Sequence, residues 1–275
     1  MDKNINTDNI LTSKQHTFVV CVYKESKYLE SCIDSLKKQS LPGNIIITTS
    51  TPNDFILNIA KKYNIKVIIN KNSSGIAGDW NFGYSQADSS LVTIAHQDDI
   101  YESEYLSELL KKVNRVKKPL IYFTNYYEIR GAKKVYSNLL LNIKRIMLFP
   151  LKIHLCISSI FLRRLILSFG SPVCCPSVTF VKNNLPDQIF VHQYRSNLDW
   201  QAWENISKYK GSFLYNSRCL VGHRIHAESE TSNILNDNIR SAEDYEMFCK
   251  FWPPLIAKAL LKIYKLSQKS NKLKK

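Results

Sequence analysis

No glycine-rich phosphate loop stands where this chain would need one to bind a dinucleotide or a nucleoside triphosphate. Its first apolar run leads into Tyr23-Lys24-Glu25-Ser26, with neither a GxGxxG fingerprint nor a Walker glycine-lysine signature, which argues against dinucleotide enzymes and P-loop kinases. The glycine-rich activation loop of sugar nucleotidyltransferases is missing from the same place. Paired CxxC spacing is absent too, so the seven cysteines show no zinc pattern. Their odd number, in a chain too long to need staples, suits a reducing compartment, and Cys174-Cys175 reads as a packed pair. The polar N-terminus, MDKNINTDNILTSKQ, lacks the apolar core of a secretory signal. The expected location is the cytoplasm. No helix-turn-helix, zinc or RNA-binding signature is present, so nucleic acid is not an expected partner.

Negative charge is scarce. The 275 residues carry 38 Lys and Arg against 23 Asp and Glu, a net +15, which favours phosphorylated ligands or anionic lipid as partners. At 44% hydrophobic and 11% aromatic the chain has an ample core for one large or two small domains.

What is present is an alternation. Thr17 to Tyr23 is a β-rich apolar run, followed by Glu25 to Gln39, whose Leu29, Cys32, Ile33 and Leu36 recur at helical spacing. A strand over 44–48, a helix over 54–63, a strand over 66–70, a helix over 78–87 and a strand over 91–95 follow. The order βαβαβαβ predicts an α/β fold with a mostly parallel central sheet. The last of these strands ends in His96-Gln97-Asp98-Asp99. Open α/β sheets bind ligands at the carboxyl ends of their strands, and a hard divalent cation needs anionic oxygens there, so this cluster reads either as a metal site or as a turn.

At this point the chain resembles the family 2 glycosyltransferases, over about residues 16 to 232. Val22-Tyr23-Lys24-Glu25 is similar to the family's opening strand-end motif, with Cys21 in a proline position and Lys24 in that of an asparagine. Gly75, Asn81 and Gly83 match a Gly...Arg-Asn-x-Gly segment with Trp80 in the arginine position, and His96-Gln97-Asp98-Asp99 matches an Asp-x-Asp-Asp motif with His96 in the first position. Asn197-Leu198-Asp199-Trp200 resembles the acidic catalytic motif, and His223-Arg224-Ile225-His226-Ala227-Glu228-Ser229-Glu230-Thr231 the Arg-x-His-x-x-Ser motif beside the diphosphate. The second strand departs from the family pattern, offering Thr49 and Thr51 where an acid normally meets the nucleobase. With the histidine variant, this wording resembles a bacterial branch of the family.

The resemblance implies a single-domain nucleotide-sugar-binding sandwich of GT-A type with C-terminal helices, and an inverting, metal-dependent transfer from a nucleotide-diphosphate sugar. It implies donor contacts at Val22, Tyr23, Glu25, Thr49, Thr51, Asn81, His96, Gln97 and Arg224. Asp98 and His226 would serve a divalent ion, Mn or Mg, and Asp199 would be the general base. Asp99 would orient the loop or the acceptor, which is a glycan or lipid-linked hydroxyl in bacterial surface polysaccharide or glycoconjugate synthesis. On the residues alone, Asp199 also reads as a helix N-cap, His226 as a surface histidine and Asp79 as a cap or ion pair. Glu243 and Asp244 read as first-turn acids that complement a helix dipole. The rival reading, motivated by Thr49 and His96 in acidic positions, is a basic membrane-surface module whose sugar-nucleotide site has decayed.

The expected layout is a flexible 1–15, a transferase domain over 16–232 with a nucleotide half (16–100) and an acceptor half (101–232), and a helical extension over 233–275. Leu139 to Phe169 is apolar but broken by Lys144, Arg145, Lys152, Arg163 and Arg164, short of the ~20 residues a membrane span needs. It fits a membrane-surface segment or an internal helical pair. Lys258, Lys262, Lys265, Lys269 and Lys272 recur at steps of four and three after Pro253-Pro254. They form one face of a basic amphipathic helix, suited to solvent or to the anionic inner face of the cell membrane.

Overall fold

In the computed structural model, residues 10–72, 75–153, 156–226 and 238–269 are described. The first half alternates as its pattern predicts: β1 (His16–Val22), α1 (Leu29–Lys37), β2 (Asn44–Thr49), α2 (Asp54–Tyr63), β3 (Lys66–Ile69), α3 (Ile76–Gln86) and β4 (Leu91–His96). The remainder comprises β5 (Ile100–Tyr101), α4 (Tyr105–Val113), β6 (Pro119–Arg130), β7 (Lys133–Val135), α5 (Leu139–Leu148), α6 (Ile160–Leu167), β8 (Thr179–Val181), α7 (Leu198–Ile206), β9 (Ser212–Ile225), α8 (Asn238–Cys249) and α9 (Pro254–Lys269). One sheet has the order β3-β2-β1-β4-β8-β6-β9-β5, with β7 beside β6.

The strands β3, β2, β1 and β4 are parallel, so β1, β2 and β4 deliver their carboxyl ends to one edge, where such sheets take ligands. Antiparallel β8 joins this half to β6, and β6 runs parallel to β9 through a long, bulged ladder. The sheet buries both faces. Phe18, Val20 and Val22 of β1 pack with Leu29, Ile33 and Leu106 on one side, and Val19 packs with Tyr84, Trp200, Trp203 and Phe248 on the other, the period-two alternation of a strand.

Gly83 lets α3 lie close on the sheet. A Cβ there would stand 2.9 Å from Val19 Cγ1 and 3.0 Å from both Cys21 Sγ and Thr48 Oγ1, atoms fixed by the strands. At the other end, the described N-terminal residues are tied down: Asn114 accepts from the Leu11 N–H and donates to its carbonyl. The second tryptophan-rich core takes in α8 and α9 through Met247, Phe248 and Ala257. As its prolines indicate, α9 begins at Pro254.

Among the described residues, no helix is long and apolar enough to cross a membrane. The arginines of the Leu139–Phe169 stretch are partly internal. Arg163 is 1% exposed and donates to three backbone carbonyls at the end of α7 and beyond, those of Ser207, Tyr209 and Gly211, while its guanidinium sits over the Phe213 ring. Arg164 pairs with Glu204 at 2.7 Å. Burial pulls the Arg163 guanidinium down to about 10, so it remains charged at neutral pH.

Removing the Arg163 head group strands three carbonyls that have exchanged water for its N–H donors. Arg163→Met is therefore expected to lose about 3 kcal/mol or more of stability. Urea denaturation checks this, and a midpoint within error of wild type would contradict the assignment.

Candidate active site

The acidic loop is built by a short strand. Two-residue β5 pairs antiparallel with β9, Ile100 facing Gly222 and Tyr101 facing Val221, which lays residues 96–99 against the end of β9. A side chain at 222 would obstruct this, since a Cβ there would lie 2.6 Å from the Tyr127 ring.

Asp99 is fully buried. Its Oδ1 accepts the Arg224 backbone N–H at 2.8 Å, and both its oxygens lie 3.2 Å from His223 Nδ1. Asp98 turns the other way. Its Oδ2 is 2.9 Å from His226 Nε2, and its backbone carbonyl accepts from Arg224 Nε at 2.8 Å. Tyr28 supports both partners from below, with the Arg224 guanidinium 4.3 Å from its ring centre and the His226 ring edge-on at 5.0 Å. Four expected site residues, His96, Asp98, Arg224 and His226, thus meet in one place, and Tyr28 is a member that the sequence reading missed.

The charges are set by surroundings. Burial works to raise the Asp98 carboxyl, but the His226 hydrogen bond and the neighbouring His96, His223 and His226 imidazoles together hold it below the usual range. Burial lowers His96 in spite of the nearby carboxylates. His223 is likewise pulled down by burial, yet Asp99 outweighs this and raises it.

Ligating atoms of His96, Asp98 and Asp99 lie within 4.8 Å of one another. His96 stacks on Trp80 at 5.0 Å, and its buried Nε2 has no hydrogen-bond partner among the described residues, an orphan that a metal would satisfy. The Asp99 oxygens face His223 and the Arg224 N–H, so His96 and Asp98 are the ready donors, with His226 beside them. Mixed imidazole and carboxylate donors fit a divalent metal ion.

The expected donor residues line the neighbouring strand ends. Val22 closes β1 buried, while Tyr23 and Glu25 are exposed. Gln97 exchanges two 3.2 Å hydrogen bonds with the Tyr23 backbone, pinning the loop after β1 to the acidic loop. Thr51 accepts the Lys24 N–H at 2.6 Å, and Thr49 accepts the Thr51 N–H. Asn81, expected at the donor, is buried against the chain at 189–190. Its amide makes three hydrogen bonds to the backbone of Ile189 and Phe190, so it positions that segment against α3. Gly75 holds the cap position of α3 and, among the described residues, Asp79 forms no ion pair; Ser50 and Asn70 both donate to its carboxylate at 2.8 Å, which places an acid at the ends of β2 and β3.

Asp199 lies in the first turn of α7, where Asn197 holds the cap position. Its Oδ1 accepts the Trp200 N–H at 2.7 Å and Ser171 donates to Oδ2 at 3.4 Å. Burial raises its carboxyl despite the opposing Trp200 N–H and the Lys144 charge, and its own charge acts on His96. Glu243 and Asp244 need correction. Because α8 starts at Asn238, they fall beyond its first turn, and both are buried. Glu243 accepts the N–H groups of Arg195, Ser196 and Asn197 and the Ser196 hydroxyl, and Asp244 accepts from Asn197 Nδ2. They hold the entry to α7. Ser229 and Thr231, expected beside the diphosphate, and Lys272 of the basic face lie outside the described residues.

This parallel sheet, with its acidic loop and helix-borne acid, defines a GT-A fold. The sequence model of glycosyl transferase family 2 matches residues 17–169, and the chain belongs to that family. Glycosyltransferase GlyA of Streptococcus pneumoniae serotype 4 is 24% identical over 132 residues, 46% of this chain and 19% of that protein; the match thus spans about a fifth of the curated relative's length. Among solved structures, S. aureus TarS 1-349 in complex with UDP-GlcNAc superposes with a TM-score of 0.65 at 16% identity, covering 93% of this chain and 72% of that one. The mannosyltransferase PcManGT from Pyrobaculum calidifontis, in complex with GDP-Man and Mn²⁺, gives 0.59 at 12% identity over 94% and 70%. At such identities the likeness is one of fold.

The two adjacent acids are assigned different work, one as brace and one as ligand. Asp99→Asn is expected to cost about 2–4 kcal/mol, because a buried charge partner is lost, while Asp98→Asn stays within about 1 kcal/mol of wild type. Equal losses for the two variants in thermal unfolding would refute the division.

Proposed function

We propose that this chain transfers a sugar from a nucleotide-diphosphate donor to an acceptor hydroxyl with inversion at the anomeric carbon. The observation that carries the reading is the meeting of Asp98, His96, Arg224 and His226 at the carboxyl ends of the parallel strands, with Asp199 in electrostatic reach. TarS with UDP-GlcNAc and PcManGT with GDP-Man support the donor class.

The chemistry follows from the residues. Asp199 takes the acceptor proton while the acceptor oxygen bonds to the anomeric carbon and the bond to the diphosphate breaks, through an oxocarbenium-like transition state. A single base without a covalent nucleophile gives inversion. Arg224, held over Tyr28, faces the charge that grows on the leaving diphosphate. When bound by Asp98 and His96, with His226 alongside, a divalent ion supplies Lewis acidity to the same oxygens. Tyr23, Glu25, Thr49 and Thr51 border the nucleoside, with Val22 beneath and Gln97 fixing the loop. Asn81 acts through residues 189–190, and Asp79 supplies the acid that β2 lacks.

Residues 16–100 form the donor half and 101–232 the acceptor half, and the C-terminal helices secure the base. The acceptor is a glycan or lipid-linked hydroxyl of a bacterial surface glycan. Seven free thiols suit the reducing cytoplasm.

A panel of UDP- and GDP-sugars, with and without Mn²⁺, tests this by thermal shift and by release of nucleoside diphosphate. One nucleotide class is expected to stabilise the protein in a metal-dependent way, and Asp98→Asn abolishes the effect. Asp199→Asn keeps donor binding but loses roughly 10²–10⁴ of turnover. Since a base works only when ionised, kcat/KM of the wild type falls as pH drops through the raised Asp199 value, at higher pH than an ordinary carboxylate dictates. Donor-independent behaviour throughout, or full turnover in Asp199→Asn, would overturn the assignment.

A further inference from the structure

Between Glu128 and Asp187 the chain runs for 58 residues without an acid, yet it carries nine Lys and Arg there, and no acid follows Glu246. These two stretches contain α5 and α6, and α9. They also hold most of the large apolar side chains exposed among the described residues. On α5, Leu139, Ile143 and Ile146 recur at i, i+4 and i+7 and are 74%, 39% and 73% exposed. Phe161, Leu165 and Phe169 recur at i, i+4 and i+8 along α6 and the turn after it, all exposed, Phe161 to 75%. The opposite faces are the core-facing ones, with Leu141 and Leu148 of α5 and Arg163, Ile166 and Leu167 of α6 buried. The exposed stripes are therefore surplus to folding, and apolar stripes of this size mark a binding surface.

The acid-free segments adjoin. The Phe169 ring lies 5.7 Å from Trp252, whose indole donates to the Ser168 carbonyl, and Tyr264 of α9 packs on Gly170. Lys258, Lys262 and Lys265 of α9 and Lys152 are exposed, unlike Arg163 and Arg164, which are engaged internally. Apolar stripes flanked by exposed lysines, on two stretches whose sequence contains no acid, complement an anionic phospholipid headgroup layer.

We infer that α5, α6 and α9 form a face that seats this protein on an anionic bilayer. The face borders the base. Leu167, the last residue of α6, accepts the Trp200 indole N–H, and Ser171, four residues on, donates to Asp199. A bilayer on this face brings a membrane-borne acceptor hydroxyl to Asp199, so the inference deepens the proposed function and rests on it for the acceptor, though not for the docking itself.

Co-sedimentation of the full chain with phosphatidylcholine vesicles, with and without about one third phosphatidylglycerol, tests the docking without any sugar donor. Binding is expected only to the anionic vesicles, falling as salt rises, and at least about tenfold weaker in Ile146→Ser/Phe161→Ser and in Lys258→Glu/Lys262→Glu. All these positions are exposed, and none of them is among the residues placed in the donor, metal or base site, so circular dichroism and the metal-dependent donor shift should match wild type. Absence of binding to anionic vesicles at low salt, or binding unchanged in both variants, would overturn the inference while leaving the transferase reading intact. A dimer in sedimentation velocity that Phe161→Ser dissociates would overturn it too, assigning the face to a second copy of this chain. Vesicle binding in a protein that no sugar nucleotide stabilises would uphold the docking and sink the transferase reading instead.

Discussion

The buried carboxylate of Asp99 is the constraint on which the site depends. It accepts the backbone N–H of Arg224 and faces His223, so it joins the end of β4 to the end of β9, two segments more than 120 residues apart in sequence. Burying a charge is tolerable only when it is paired and hydrogen-bonded, and Asp99 satisfies that condition through the Arg224 N–H and His223 of β9, with His96 Nδ1 of β4 3.9 Å from its Oδ2. The register of β5 on β9 and the lack of a side chain at Gly222 serve the same junction. Once it is closed, Arg224 and His226 lie against Asp98 and Tyr28.

A second junction holds the other side of the cleft. Three consecutive N–H groups before α7 converge on one carboxylate, that of Glu243, much as an anion sits at a helix N-terminus. Glu243 comes from α8, beyond the residues matched by the family model. The helices after β9 are therefore not an appendage to the sheet. They fix the entry to the helix that bears Asp199, and through Trp252 and Tyr264 they also order the chain around Gly170 and Ser171.

The first four strands and three helices could be read from the sequence because each is a local pattern, such as the β-rich apolar run of β1 and the helical spacing of Leu29, Cys32, Ile33 and Leu36 for α1. The acidic loop, Asp199 and the Arg224-x-His226 pair were legible through the family resemblance. What escaped was set by distance in sequence. Two-residue β5 and three-residue β8 are too short to carry a period, and their existence depends on partners far along the chain. Tyr28 gave no signal, and Asp79 and Glu243 read only as helix-end acids, for the same reason, since an aromatic and two helix acids are ordinary until the fold shows what they touch. Asn81 illustrates the reverse: its motif was visible, but the atoms it satisfies, at residues 189 and 190, were not.

Two carboxylates of the cleft are driven in opposite directions by the same medium. Desolvation raises both. Around Asp98 the imidazoles of His226, His96 and His223 overcome it and hold the carboxyl below its usual range, which suits the cation ligand proposed above. Around Asp199 the Trp200 N–H, the Lys144 and Arg240 charges and the Ser171 hydroxyl do not overcome it, and the carboxyl becomes a stronger base than aspartate in water. Environments that separate two acids in this way divide their labour, one holding charge permanently and the other free to accept a proton. The asymmetry arises from the packing partners, β9 for one and α6 with α7 for the other, so the chemistry is written into the two junctions that close the sheet.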